Sequence, residues 1–369
     1  MIYMQCVLNR KDINRALRIL ELCKLEDSAH LSLEVRADSI IFAAQDIMNS
    51  VYASISCPIE GKVEIGQVIV GGDRLIKTLS NLKEDVPISL QMGESGLRIR
   101  QEKGWFRFPH ITGDYPSLVI TNNWDYNVPL DAGEFFLATK FALMGAGRDS
   151  GIAGEWGSKS IAYLRLEESL FIGGTSGGKM AGGLVKKGED LQDFPSVMVP
   201  SRIALLFAQL VKGMDKAVLS YGSNLIAMRD LSTGDCVAAS PLEEKAAPMA
   251  SLFTNIIEHS VGIPLVLLQE SLKRLVPVMG EISPRIEVHI KESELTLTAS
   301  GDHAGEEIIM IANPNNHILD VKLSFPFLRR TAEILSEDIV VLHFGEPEKP
   351  LYFIEAGGLR KVIVAPLAV

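Results

Sequence analysis

An α+β fold built from three copies of one unit is predicted by three stretches of the chain that read alike. Residues 74–100 (RLIKTLSNLKEDVPISLQMGESGLRIR), 202–229 (RIALLFAQLVKGMDKAVLSYGSNLIAMR) and 327–355 (FLRRTAEILSEDIVVLHFGEPEKPLYFIE) each begin as an amphipathic helix. Each then passes an Asp (Asp85, Asp215, Asp338) into an alternating strand, a turn and a second strand. The apolar period changes from helical to two at that Asp, which is the mark of a helix followed by a hairpin. The copies recur at about a third of the chain, and self-similarity of this kind marks a repeat architecture. A length of 369 residues suits two or three domains.

A front half precedes each copy. In the first third, KDINRALRILELCK (11–24) places Ile13, Ala16, Leu17 and Leu20 on one helix face, and Lys11, Arg15 and Arg18 on another. The strands HLSLEVRADSIIFAAQD and SVYASISC follow. In the second, FFLATKFALMGAG precedes SIAYLRLEESLFIGGTS; in the third, PLVLLQESLKRLVPVM precedes RIEVHIKESELTLTASGD and EEIIMIANP. Every third reads as helix, strands, helix, strands. The boundaries fall in 117–127 and 255–264, which lack periodicity and hold Asn, Gly or Pro. The predicted domains are 1–125, 126–257 and 258–369.

With 47% hydrophobic and 22% charged residues, the composition is globular. Cys6, Cys23, Cys57 and Cys236 stand apart, without the paired spacing of a zinc site or disulfide scaffold, and fit buried thiols in a reducing compartment. The start lacks the basic-then-apolar form of a signal peptide. No apolar run approaches the roughly 20 residues that span a bilayer. The expectation is a soluble, cytoplasmic chain with no membrane partner. The seven histidines have no metal spacing, and no metal or cofactor is assigned.

The formal charge is −10, yet Lys and Arg recur on helix faces. Arg74 and Lys77 lie opposite Leu75 and Leu79, while Arg202, Lys212 and Lys216 lie opposite Ile203, Leu206 and Leu210. Arg329 and Arg330 open the last helix. On one helix such cations would simply be solvated. On several helices of a repeat they read as a common basic lining, and an acidic body can still bind phosphate through such a stripe.

Order, spacing, basic helix faces and three local segments together resemble the bacterial sliding clamps, the beta subunits of DNA polymerase III. The segments are 198–229, WFRFPHITGDYPSL (105–118) and the apolar terminus KVIVAPLAV. The resemblance covers the whole chain. It implies three clamp-type domains, each with two helices packed on antiparallel sheets, and two chains closed head to tail in a ring. It implies a non-enzymatic processivity factor that encircles duplex DNA without reading its sequence. Replicative polymerase and clamp-loader subunits would dock through linear peptides. The DNA-facing residues would be Lys11, Arg15, Arg18, Lys24, Arg74, Lys77, Arg148, Lys159, Arg202, Lys212, Lys216, Arg329 and Arg330. Arg148, Trp156 and Lys159 belong to a Gly-rich loop (145–159) that meets DNA in that family. The peptide groove would be formed by Ile161, Thr175, Gly177, Gly178, Lys179, Met180, Pro248, Ile363, Ala365, Pro366, Leu367, Ala368 and Val369. Where the family usually has Asp-Gly-His-Arg-Leu after the Thr, this chain has Ser-Gly-Gly-Lys-Met, so a specialised clamp paralogue with altered partners is a further reading.

An enzyme is the alternative from another class. Gly173–Lys179 fits GxxxxGK but continues with Met180, not the Ser or Thr that would hold Mg²⁺. Gly174–Gly178 fits GxSxG around Ser176, and Ser176 with Lys179 fits SxxK. All three motifs need a helix to start there, whereas AGGLVKKGED reads as strand and turn. An ATP-binding measurement separates an NTP-using enzyme from a clamp.

Overall fold

The computed structural model describes residues 4–23, 30–46, 51–112, 124–146, 160–166, 168–176, 179–186, 191, 193–243, 249–255, 257–280, 284–300, 303–355 and 357–367. The first third contains β1 (Met4–Leu8), α1 (Asn14–Leu22), β2 (His30–Val35), β3 (Ser39–Asp46), β4 (Val51–Pro58), β5 (Glu60–Glu64) and β6 (Gly66–Gly71). It continues with α2 (Gly72–Ser80), β7 (Ile88–Gly93), β8 (Gly96–Gln101) and β9 (Gly104–Phe108). The middle third contains β10 (Tyr126–Asp131), α3 (Ala132–Gly145), β11 (Ser160–Leu166), β12 (Ser169–Ser176) and β13 (Lys179–Lys186). It ends with β14 (Val197–Pro200), α4 (Ser201–Val211), β15 (Lys216–Gly222), β16 (Leu225–Arg229) and β17 (Cys236–Ala239). The last third contains α5 (Met249–Thr254), β18 (His259–Pro264), α6 (Leu265–Leu275), β19 (Arg285–Lys291), β20 (Glu294–Ser300) and β21 (Ala304–Met310). It closes with β22 (Leu319–Ser324), α7 (Phe325–Ile334), β23 (Ile339–Phe344), β24 (Leu351–Glu355) and β25 (Arg360–Val364). Apart from β5, α5 and a 3-10 turn at Val276–Val278, the same order of strand, helix, four strands, helix and three strands occurs three times.

Backbone contacts divide the chain into two compact units. The first is Met1–Phe136, Lys187–Gln192 and Arg202–Pro241; the second is Leu137–Lys186, Asp193–Ser201 and Leu242–Val369. The first unit holds an eight-stranded sheet, β10-β15-β16-β17-β4-β3-β2-β6, and a five-stranded sheet, β5-β1-β7-β8-β9. The second holds an eight-stranded sheet, β14-β11-β12-β13-β25-β24-β23-β18, and a four-stranded sheet, β21-β20-β19-β22. Each eight-stranded sheet joins four strands of the middle third to four of another third. The joins are antiparallel: β17 to β4 with Cys236 opposite Ser54, and β13 to β25 with Gly182 opposite Lys361.

The helices form close to where the apolar spacing predicted them, but α4 ends at Val211, so Lys212 lies in the turn after it and Lys216 opens β15, off the helix face on which they were placed. On α1, Ala16, Leu17 and Leu20 are buried; on α6 it is Leu268, Leu272 and Leu275. In the second unit these α6 side chains pack with Phe327, Leu328 and Ala332 of α7 over Ile286, Val288, Leu295 and Leu297 of the four-stranded sheet. The first helix begins at Asn14, with residues 11–13 in a turn. The predicted linker 255–264 is mostly β18, antiparallel to β23 from His259–Phe344 to Pro264–Ile339. Its Gly262 accommodates close neighbours: a Cβ there would lie 3.3 Å from Ile339 and 3.5 Å from Ala312. Among the described residues no helix is long and apolar enough to cross a membrane.

Candidate functional site

The α-helices concentrate positive charge. Across α1 to α7 there are ten Lys or Arg against five Asp or Glu, in a chain of net charge −10. In the first unit, Lys11, Arg18, Arg74, Lys77, Lys212 and Lys216 are exposed, and Arg15 and Arg202 half-buried. Arg15 and Lys216 line one cavity of about 750 Å³ with Pro129, Asp215, Asp230 and Ser232. In the second unit, Arg329 and Arg330 are exposed on α7. Arg329 lines a cavity of about 690 Å³ between α6 and α7, with Lys273, Leu272 and Val276. Lys24, Arg148, Trp156 and Lys159 lie outside the described residues.

Several of these cations already have partners. Lys77 pairs with the half-buried Asp73 at 2.7 Å and Arg329 with the exposed Glu333 at 2.9 Å, each one helical turn apart. Such pairs contribute little to stability and open readily to another anion. Arg15 differs. Its guanidinium lies 2.8 Å from Asp235 Oδ2 and donates to the Leu210 carbonyl at 3.1 Å, tying α1 to the β16–β17 turn and the end of α4. Asp235 has no exposed side-chain surface, and its other oxygen accepts from the Ser56 amide at 2.7 Å. Burial holds its pKa above the usual carboxylate range despite the Ser56 N–H and Arg15.

The groove residues fall on two faces of one sheet. Met180 and Ile363 are opposite each other across β13 and β25, both buried. With Ala162, Leu164, Phe171 and Tyr352 they form an apolar cluster that α5 closes with Met249 and Phe253. The Phe171 and Phe253 rings stand 4.8 Å apart, and Lys361 Nζ donates to the Phe253 carbonyl at 2.6 Å. Ile161 points the other way: its Cδ1 borders Gly174, whose vacant Cβ position faces α3. Adjacent strand residues face opposite sides, so Ala162 rather than Ile161 is the one in the cluster. Lys179 also lies away from Met180, with Nζ 4.9 Å over the Phe327 ring of α7. Thr175 Oγ1 donates to the Lys179 carbonyl at 2.9 Å. Ala365, Pro366 and Leu367 are half-buried beyond β25, and the Leu367 amide donates to the Lys322 carbonyl at 2.8 Å. Gly177, Gly178, Pro248, Ala368 and Val369 lie outside the described residues. Sequence reasoning missed α5; the apolar spacing of Met249 and Phe253, four apart, was the available signal.

The three short motifs sit on a β-hairpin. Gly173 and Gly174 are in β12 and Lys179 opens β13, with Ser176 opposite Lys179. Lys179 opens a strand and not a helix, so among the described residues the helix N-terminus that each motif needs is missing. The two glycines serve packing on opposite faces. A Cβ on Gly174 would lie 2.2 Å from the Ala142 carbonyl of α3, and one on Gly173 would meet the Phe171 ring at 2.5 Å.

No family model matches the chain, and the search of curated proteins returns no match. Solved structures do match over nearly all of it. The Pseudomonas aeruginosa DnaN sliding clamp bound to griselimycin superposes with a TM-score of 0.85 at 16% identity, covering 99% of this chain and 100% of that one. The Caulobacter crescentus beta sliding clamp with PEG bound gives 0.83 at 15% identity, covering 99% of each chain. A second Caulobacter crescentus pol III beta structure gives 0.80 at 14% identity, covering 99% and 100%. The fold is that of the bacterial DNA sliding clamps. The sliding-clamp fold accounts for the threefold element order and for sheets shared between successive thirds.

Proposed function

We propose that this chain is a DNA sliding clamp, a processivity factor of three domains (1–125, 126–257, 258–369) whose two copies close head to tail around duplex DNA. The observation that carries the reading is a pair of unmatched strand edges. By position after the second helix, β9 corresponds to β17 and β25; by position after the first helix, β21 corresponds to β4 and β13. In the middle third these counterparts are paired, β17 with β4 and β13 with β25. That leaves β9 and β21 at sheet edges, so their counterpart is a second copy of the chain.

Both internal joins give one register. Cys236 opposite Ser54 and Lys361 opposite Gly182 each map onto Trp105 opposite Glu306. Phe106 then takes the place of Val237 and Val362. Those residues have no exposed surface, whereas Phe106 is 42% exposed. Trp105, Ile308 and Met310 are exposed apolar side chains on the same two strands. The β8–β9 ribbon carries Arg98, Arg100, Lys103 and Arg107; β21 carries Glu306 and Glu307. Apolar cover and opposite charge favour this contact over a solvated edge.

The surplus of Lys and Arg on the helices supports a sequence-independent DNA contact, because phosphate contacts leave the protein free to translocate. The edge formed by the Ala365–Leu367 tail, Thr175 and Lys179, beside the Met180–Ile363 cluster, supports docking of linear peptides from polymerase and clamp-loader subunits. Light scattering tests the ring. The expected mass is about twice the 40.3 kDa chain, falling to 40.3 kDa in Phe106→Asp without loss of secondary structure. A monomeric wild-type chain at micromolar concentration, or an unchanged mass for the variant, overturns the reading.

A further inference from the structure

Six cations lie on the elements around the C-terminal tail: Lys179, Lys322, Arg329, Arg330, Arg360 and Lys361. Four are engaged. Lys322 Nζ meets Glu287 at 2.8 Å, Arg329 meets Glu333 at 2.9 Å, Arg360 bonds the buried Glu355, and Lys361 donates to the Phe253 carbonyl. Lys179 and Arg330 have no carboxylate partner among the described residues. Lys179 is half-buried, its ammonium held over the Phe327 ring. Arg330 stands one turn further along α7 and is the charge that acts on it. Burial first, and that like charge second, hold the Lys179 pKa below its ordinary value. Among the described residues of a net-acidic chain, two neighbouring cations thus lack a counter-charge at the rim of an apolar edge, where Val364 is the strand partner of Lys179.

We propose that the peptide docking at this edge carries an Asp or Glu beside its apolar anchor, and that Lys179 and Arg330 receive that carboxylate. The proposal rests on the partner-groove reading above. Charge complementarity selects an acidic group, and the surroundings select a peptide over a DNA phosphate. The half-buried Pro366 and Leu367 offer apolar surface that peptide side chains would cover and that a phosphate backbone would leave wet. Hydrogen bonds from two cations to one carboxylate are among the stronger polar contacts when partly shielded from water.

The experiment titrates two labelled peptides that end in the same apolar pair and differ only in Glu or Gln before it. Fluorescence anisotropy reads their binding to the full chain and to a Lys179→Met, Arg330→Gln variant. The Glu peptide should bind roughly tenfold more tightly than the Gln peptide to the wild-type chain. That advantage should vanish in the variant and weaken with salt. Equal affinity of both peptides for the wild-type chain overturns the carboxylate contact while leaving the groove in place. An advantage that survives in the variant also overturns it. Binding of neither peptide overturns the groove reading, and the proposal with it. If the variant loses duplex DNA affinity but still discriminates between the peptides, the pair is a phosphate site and the proposal fails.

Discussion

Replacing Arg15 by Met removes the cation beside a carboxylate that has no contact with solvent, and the cost can be worked from the structure. Breaking a buried ion pair by deleting one partner costs about 3–5 kcal/mol, because the remaining charge is left uncompensated. Arg15 is 36% exposed, so water can follow it in part and the low end, about 3 kcal/mol at neutral pH, is the expected loss. The sign of the pH dependence follows from Asp235. Burial already holds its folded pKa above the usual range, and without Arg15 it rises further. An acid raised on folding stabilises the native state most below its unfolded pKa of about 3.9, and that contribution is lost as pH rises through the folded value. Arg15→Met should therefore approach wild-type stability near about pH 4 and fall steadily behind it toward about pH 8. Asp235→Asn keeps an acceptor for the Ser56 amide and cannot ionise, so adding it to Arg15→Met should restore most of the loss at the higher pH. Urea denaturation at both pH values measures the wild type, Arg15→Met and the double variant. A deficit independent of pH, or no rescue by Asn, would refute the argument from an uncompensated buried carboxylate.

Arg202→Ala with Lys212→Ala should flatten the dependence of log K on log salt for duplex DNA by up to about 2, since each phosphate contact contributes about 0.9; an unchanged slope removes both residues from the lining. Deleting residues 366–369 removes the Leu367 bond to Lys322 and one apolar wall, so peptide affinity should drop at least about tenfold with the dimer intact. Equal affinity for the truncated chain would put the groove elsewhere. Burial pushes the thiols of Cys6, Cys57 and Cys236 up to about 12. They should resist a thiol reagent at about pH 8 in the native chain and react on unfolding; rapid native labelling at Cys57 would contradict its burial.

The parts of the fold that were legible in the sequence are those set by local periodicity. The helix-to-hairpin units around Asp215 and Asp338 appear as read, as does the Gly-broken segment after Lys179, which is strand and not helix. The strand before each first helix was not legible. His259–Pro264 contains Gly and Pro and looks like a linker, because what makes it a strand is its pairing with β23, some eighty residues away. Contacts of this range also decided the site. Nothing in the local sequence of Arg15 foretells Asp235. Ile161 illustrates a sharper limit. A period of two puts neighbours on opposite faces, so Ile161 borders Gly174 on the α3 side while Ala162 lies in the apolar cluster, a division that needs the strand's pairing to read.

At 16% identity a TM-score of 0.85 asks what the fold requires of its residues. Most strand positions need only alternation, which many apolar residues satisfy, and most helix positions need only one apolar face. The narrow requirements are few and identifiable. Gly145 and Gly174 face each other where α3 meets β12 and β13, and a Cβ on either would fall within about 2.2 Å of backbone atoms, too close for any rotamer change to relieve. The joins between thirds need strand edges free to pair, and a small residue at Gly182 opposite Lys361 leaves room for the Phe171 ring. Neither requirement fixes charge. The cations on helix faces, and Lys179 beside them, can therefore change without touching the scaffold. A clamp-fold chain that has drifted this far can keep its architecture through glycines and alternation, while what it holds is set by a small number of exposed side chains.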